Sequence, residues 1–146
     1  EINEFRRQGY LREPVGGRRR DFLDGESPNE LVNFKVQSGA AGLVNAALIA
    51  LHDEIPLNRW GPGTGIINQC HDSIVIECPA DGCYWEPHPD PEKAAAGKGK
   101  MVVPKGSIPW EVARLMEECM NQTHPNLPGV TFTAGADVGL TWKSVG

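Results

Sequence analysis

The residues best placed to do chemistry lie in one short stretch, GIINQCHDSIVIEC, at positions 65–78. Two apolar runs, Ile66–Cys70 and Ser73–Cys78, are separated by the pair His71-Asp72, which predicts a β-hairpin with a two-residue connection. His-Asp is a poor turn pair compared with Asn-Gly, and a turn that departs from local preference is a place to expect function. A hairpin tip holds a carboxylate clear of its own backbone, so Asp72 can face a ligand. The alternative is that Asp72 is only a turn residue.

A long helix, residues 27–52, is predicted to support this hairpin. Ser27 can cap it, Pro28 suits the first helical position, and Glu30 is placed to close a capping box. Pro56 forbids its continuation. One face is apolar and is expected to be buried: Leu43, Val44, Ala47, Leu48 and Leu51.

A second edge of this helix carries amide side chains at helical spacing: Asn29, Asn33, Gln37 and, further along, Asn45. The same helix contains Gly39 and Gly42, each of which costs about 1 kcal/mol relative to Ala in a helix interior. Two explanations stay open. Either another part of the chain packs tightly there, or a nucleic acid approaches the helix backbone.

The remaining segments complete an α+β arrangement with an antiparallel sheet. Residues 1–26 read as an irregular, basic lead-in with turns at 14–17 and at Asp24-Gly25. Residues 79–106 read as an inserted surface loop, with at most a short strand at 101–103. Residues 107–146 should form a second helix and a terminal strand at 130–134. The apolar face of that helix is Val112, Leu115, Met116, Cys119 and Met120.

Composition restricts the class of protein. A chain of 146 residues that is 40% hydrophobic can bury a core and is not a disordered tail. No apolar run approaches the roughly 18–20 residues of a membrane span, and no secretion signal is visible, so no membrane partner is expected. The absence of an initiator Met suggests a piece of something longer.

The charge is unevenly distributed along the chain. Residues 1–20 hold six arginines and three glutamates, whereas the whole chain has a net charge of -5. A basic end on an acidic body is what a phosphate-binding edge requires. A merely solvated surface has the same composition, and both interpretations stay open.

Four cysteines without an export signal indicate free thiols in a reducing compartment. Cys78, Cys83 and His88 suggest a zinc site, but the C-x4-C-x4-H spacing does not match the tight C-x2-C pairs of structural zinc sites. A zinc-binding domain is therefore a minor alternative.

Four blocks, in order, resemble the family A DNA polymerases of the bacterial DNA polymerase I and bacteriophage replicative type. Positions 9–20 (GYLREPVGGRRR) are similar to the family's G-Y-x-x-T-x-x-G-R-R, and positions 33–43 (NFKVQSGAAGL) to N-x-x-x-Q-[GS]-x-A-[AG]. Positions 69–77 (QCHDSIVIE) resemble motif C, usually Q-V-H-D-E, and positions 138–142 (VGLTW) resemble V-G-x-x-W. The blocks cover most of the chain outside the insertion, and the resemblance implies a C-terminal palm fragment with a palm-type antiparallel sheet.

The resemblance implies catalytic roles for the hairpin tip. Nucleotidyl transfer by two Mg²⁺ ions needs carboxylates that hold both ions, and Asp72 matches one of them. His71 matches the family histidine that contacts the primer end.

It also implies a DNA-binding surface. Gln37, and Asn33 one turn before it, would donate to the N3 and O2 acceptors that every base pair presents in the minor groove. Such a contact checks the shape of a pair without reading its sequence. Arg18 and Arg19 match the family's basic pair and would contact phosphate.

The departures from the family pattern are informative. Ser73 replaces the usual second carboxylate of motif C, and Asn29 stands where an arginine is usual. Motif A and the nucleotide-binding fingers helix are missing, so an N-terminal polymerase portion must supply them. The implied partners are that portion, primer-template DNA and dNTP, in a bacterial or phage-infected host cytoplasm. The alternative is a non-catalytic nucleic-acid-binding module on a palm-like scaffold.

Overall fold

A helix of 27 residues, α2 (Pro28–Glu54), organises the computed structural model, which describes residues 2–22, 27–58 and 60–141. Its predicted start is confirmed, because the Ser27 hydroxyl accepts a hydrogen bond from the Glu30 amide at 3.3 Å and Pro28 occupies the first turn. This bond is one half of the predicted capping box, and the Glu30 carboxylate, which was expected to supply the other half, pairs with Arg20 at 2.9 Å. After Glu54 the chain tightens into a 3₁₀ turn, Ile55–Leu57.

The prediction that residues 1–26 form an irregular lead-in was wrong. They contain a helix, α1 (Ile2–Gln8), and two antiparallel strands, β1 (Tyr10–Arg12) and β2 (Arg19–Asp21). Apolar side chains from these elements pack on the first turns of α2, and this contact stabilises the short elements. The members of this aromatic cluster are Ile2, Phe5, Leu11, Phe22, Leu31 and Phe34. The expected turn at Asp24-Gly25 lies outside the described residues.

The predicted hairpin is confirmed as β3 (Gly65–Cys70) and β4 (Ser73–Glu77). Cys70 pairs with Ser73, so the connection has two residues, and a bulge at Ile67 interrupts the register. The hairpin packs on the second half of α2 together with α4 (Ile108–Met120). This aliphatic cluster includes Val44, Ala47, Leu48, Leu51, Ile66, Ile74, Ile76, Leu115 and Met116, as the apolar faces of both helices predicted.

Residues 79–106 are more ordered than the predicted surface loop. Strand β5 (Tyr84–Pro87) pairs antiparallel with β6 (Gly99–Val102), and the short helix α3 (Pro91–Ala95) connects them. All four residues of β5 are exposed, so the position of this segment at the surface agrees with the expectation.

The C-terminal elements are shorter than predicted. α4 begins after Ser107, as the sequence indicated, and β7 (Gln122–Thr123) pairs with β8 (Thr131–Phe132) in place of a longer strand at 130–134. The final residue of the fourth sequence block, Trp142, lies outside the described residues.

The α+β class is confirmed, but a single antiparallel sheet is not found in the described part of the chain. Its strands form four separate two-stranded antiparallel sheets, β1–β2, β3–β4, β5–β6 and β7–β8. Each pair is local in sequence, and the outer edges of the strands are not joined to one another.

The segment Pro28–Leu57 is long and apolar enough to cross a membrane by length and composition alone. This corrects the prediction that no run approaches such a length. Of its most apolar 18-residue stretch, 39% is buried inside the protein. A core helix can have the same length and composition, and this helix packs against a hairpin and a second helix.

Candidate nucleic-acid interface and carboxylate groove

The β3–β4 tip consists of His71 and Asp72, and it holds His71 in an unusual backbone conformation. His71 has φ 53°, and it is the non-glycine residue with positive φ among those described. Histidine tolerates this left-handed region better than β-branched residues do, but at some cost in strain. The Ser73 hydroxyl donates to the Cys70 carbonyl oxygen at 2.8 Å and ties the two strands together below the turn. Both tip side chains are exposed, so the turn presents them to solvent.

Asp72 lines a small groove of about 110 Å³ between the hairpin tip, α4 and the segment 134–136. Glu117 of α4 lines the same groove. One Glu117 carboxylate oxygen accepts a hydrogen bond from the Ala136 amide at 3.0 Å, and the Asn121 side-chain oxygen accepts from the Ala134 amide at 2.7 Å. The helix α4 thus fixes the wall opposite Asp72.

The carboxylates of this groove fit part of a Mg²⁺ site. Magnesium prefers six oxygen ligands and is commonly bound by one or two carboxylates with waters and substrate phosphates. Asp72 is free to serve as such a ligand, whereas Glu117 has one oxygen engaged by the Ala136 amide. Across residues 2–22, 27–58 and 60–141, no group of three or more His, Cys, Asp or Glu side chains is arranged to hold a metal ion. A complete Mg²⁺ site here would need ligands beyond these two carboxylates.

A second, larger groove of about 400 Å³ lies where β2 meets α2. It contains three of the sequence-predicted DNA-binding residues, Arg18, Arg19 and Gln37. Arg20, which the resemblance did not single out, lines it as well. Asn33 is exposed one turn before Gln37 but is not part of the groove lining.

The three arginines of this basic groove differ in how they are held. Arg19 pairs with Asp21 at 2.5 Å, and Arg20 pairs with Glu30. Arg18 is exposed, and its guanidinium has no hydrogen-bond or ion-pair partner within the described residues. An incoming anion must compete with a carboxylate at Arg19 and Arg20, but not at Arg18.

A further amide of α2 contacts the hairpin. Asn33 and Gln37 lie one turn apart near the basic groove, and further along the helix the Asn45 side-chain oxygen accepts a hydrogen bond from the Gln69 amide at 3.4 Å. Asn33 and Asn45 are about 18 Å apart at 1.5 Å per helical residue. The Asn45–Gln69 contact therefore joins α2 to β3 two residues before His71.

The structure explains the two helix glycines by packing within the chain. A Cβ atom at Gly42 would approach the Val15 Cβ to 2.9 Å, and one at Gly39 would approach the Pro14 Cγ to 3.2 Å. The β1–β2 loop thus lies directly on the helix backbone. Of the two explanations that the sequence left open, close packing accounts for both glycines.

The four cysteines are free thiols, as predicted. Burial raises the pKa of Cys78, with a smaller contribution from the nearby Cys83, and burial also raises the pKa of Cys119. Cys78, Cys83 and His88 do not form a metal-binding group with any other described side chain. The zinc alternative has no support in this geometry.

Sequence reasoning missed three residues that shape these sites. Glu117 lies 45 positions after Asp72, Arg20 was one of several arginines, and Glu13 was counted only as a charge. Tertiary contacts bring Glu117 into the groove of Asp72, whereas Glu13 lines neither groove and bonds the loop before Arg18. Comparisons of the chain with protein-family models, with curated proteins and with solved structures gave no match.

Proposed function

We propose that this chain is the C-terminal catalytic portion of a template-directed DNA polymerase, acting in a bacterial or phage-infected cytoplasm. A second polypeptide, or the N-terminal remainder of the same one, would supply motif A and the nucleotide-binding fingers. The four ordered sequence blocks support the proposal. In this reading the hairpin and helices belong to a palm whose sheet is completed by that partner.

One observation carries the proposal: a basic groove brings Arg18, Arg19 and Gln37 together beside α2. Arg18 is free to bind a backbone phosphate. Gln37, in the same groove, offers an amide to the minor groove, where donors meet acceptors that all base pairs share. Further along α2, Asn45 contacts Gln69 of the hairpin whose tip carries His71 and Asp72. In the proposed complex, the primer-template duplex lies in the basic groove with its primer end at His71.

At the tip, the residues of this chain would position the reacting end. His71 would contact the primer terminus, and the exposed Asp72 carboxylate would bind a metal ion. Two bound Mg²⁺ ions would activate the primer hydroxyl and stabilise the leaving pyrophosphate. The described residues supply an incomplete ligand set, so activity requires the partner portion and dNTP.

The decisive experiment is single-turnover primer extension with the N-terminal portion present. Asp72→Asn should leave DNA affinity nearly unchanged and slow the chemical step by roughly three orders of magnitude or more, because its charge acts on the transition state. Asp137→Asn, an exposed aspartate on the C-terminal segment, is the matched control and should extend normally. Near-normal extension by Asp72→Asn would refute the catalytic assignment.

The amide of Gln37 has its own test. Gln37→Ala should reduce discrimination at mismatched primer ends more than it reduces overall affinity, because the amide contacts only the base edges. Asn58→Ala, which removes an amide that donates to the Glu54 carbonyl oxygen outside both grooves, is the control. If matched and mismatched ends lose activity equally, the minor-groove role is wrong.

The runner-up function is a non-catalytic module that binds nucleic acid through the basic groove. The departures from the family pattern at Ser73 and Asn29 favour it. This alternative predicts that the chain binds duplex but that no primer is extended when the N-terminal portion, metal and dNTP are all supplied.

A further inference from the structure

The loop between β1 and β2 is built around a buried carboxylate. Glu13 is only 4% exposed, although charged side chains are rarely buried without partners. One of its oxygens accepts a hydrogen bond from the Val15 amide at 2.8 Å. The other accepts from the Gly16 amide at 2.5 Å and lies 3.4 Å from the Arg18 amide. The carboxylate thus satisfies the backbone of its own loop.

The same loop is fixed on the helix and on the neighbouring strand. The Glu13 amide donates to the Arg18 carbonyl oxygen at 3.0 Å, which closes the loop at its base. A Cβ at Gly42 would lie 3.3 Å from the Glu13 carboxylate, so the acid group is packed directly against the backbone of α2. Arg18, at the end of this loop, is the first of the three consecutive arginines that line the basic groove.

We propose that Glu13 is a positioning residue for the basic groove, acting through the backbone of Arg18. This inference rests on the proposed nucleic-acid binding at that groove. The Glu13 carboxylate holds the 13–18 loop in one conformation on Gly39 and Gly42. It thereby sets the direction in which the Arg18 guanidinium leaves the strand, at the entrance shared with Gln37.

The chemistry explains why an acid suits this position. Three backbone amides converge on two oxygens, and an ionised carboxylate is the side chain that accepts several such bonds without donating any. Hydrogen bonds to a charged acceptor are the strong ones, so the loop is held firmly. In glutamine an NH₂ group, which is a donor, would replace one of the two oxygens and would face backbone amides that also donate. Glu13→Gln therefore changes one hydrogen-bonding group, whereas Glu13→Ala removes both oxygens.

The test is a double-mutant cycle on duplex affinity with a fluorescent duplex of random sequence. Glu13→Ala should weaken binding about tenfold, within the range of coupled neighbours. In the Arg18→Ala background the same change should have little further effect, because the arginine that it positions is gone. Glu4→Ala is the control: Glu4 pairs with Lys35 at 2.7 Å, outside the loop, and should leave affinity unchanged. Equal losses from Glu13→Ala with and without Arg18 would overturn the positioning role.

A second measurement does not depend on DNA binding. Amide hydrogen exchange at Val15 and Gly16 should accelerate in Glu13→Gln, with thermal melting compared in parallel to exclude global unfolding. Unchanged exchange at both amides would overturn the proposal even if the protein binds DNA. If instead exchange accelerates but neither the parent nor Arg18→Ala binds duplex, Glu13 orders the loop and the proposed function fails. The two failures are therefore distinguishable.

Discussion

The two halves of α2 support surfaces of opposite charge. Over the first half, the β1–β2 hairpin covers an aromatic cluster and presents arginines, with the Arg20 guanidinium 4.8 Å from the centre of the Phe22 ring. Arg19 lies 4.2 Å from the Tyr10 ring in the same way. Over the second half, the β3–β4 hairpin covers an aliphatic cluster and presents Asp72. The aromatic cluster therefore lies beneath arginines, and the aliphatic cluster lies beneath an aspartate.

The difference has a physical basis. The faces of aromatic rings attract cations, so guanidinium groups can rest on the first cluster while still facing solvent. Aliphatic side chains offer no such attraction, and the second hairpin instead places its charge at the far end of a tight turn. In the proposed polymerase, the first surface binds phosphates and the second faces a metal ion. The following predictions test whether the two surfaces are separable.

The largest expected effect on stability is in the second cluster. Leu51 is fully buried, so Leu51→Ala should lower the free energy of unfolding by about 2–5 kcal/mol through lost burial and the resulting cavity. Ile49→Ala removes an aliphatic side chain that is 63% exposed on the same helix and should cost far less. Denaturant unfolding measures both. Similar losses for the two variants would show that the hairpin does not seal this cluster.

The next effect concerns the loop that supports the first surface. Gly42→Ala places a methyl group 2.9 Å from the Val15 Cβ, so the loop must shift. The expected loss is about 1–3 kcal/mol, partly offset by the better helix propensity of alanine. Gly39→Ala meets the Pro14 ring at 3.2 Å and should be milder. Thermal unfolding of both variants, with duplex affinity in parallel, checks the order. A more stable Gly42→Ala protein would contradict this packing.

Two substitutions at the basic groove should change duplex affinity in opposite directions. Arg18→Ala should weaken duplex binding and lower the salt dependence by about one phosphate contact. Asp21→Asn should strengthen binding severalfold, because it releases Arg19 from its intramolecular ion pair. Titrations at several salt concentrations measure both changes. Weaker binding by Asp21→Asn would mean that the pair orients Arg19 and does not compete with phosphate.

The smallest expected effect is a pH dependence at the α1–α2 contact. A hydrogen bond from Lys35 lowers the pKa of Glu4 below its ordinary value of 4.5. A lowered pKa in the folded state contributes stability above pH 4.5, and this contribution is lost as pH falls through the folded-state value. Urea unfolding at pH 7 and at pH 3 should show a smaller acid loss for Glu4→Gln than for the parent. Identical losses would show that the pair contributes nothing.

Short-range sequence patterns were sufficient to predict the elements whose signals are local. Ser27 and Pro28 fixed the start of α2, and the apolar spacing of both long helices identified the faces that are buried. The two-residue connection at His71-Asp72 also followed from the lengths of the adjoining apolar runs. These features depend on neighbours within one turn or one strand pair, so short-range patterns were sufficient.

The tertiary structure alone decided what meets across the chain. Short elements such as α1 and β2 have weak local signals, and they form because the aromatic cluster on α2 stabilises them. The glycines of α2 could have served a nucleic acid or a loop until the position of Val15 was known. Glu117 beside Asp72 and Glu13 beneath Arg18 depend on long-range and turn geometry. Spacing along a sequence does not encode such geometry, because it arises from the packing of whole elements.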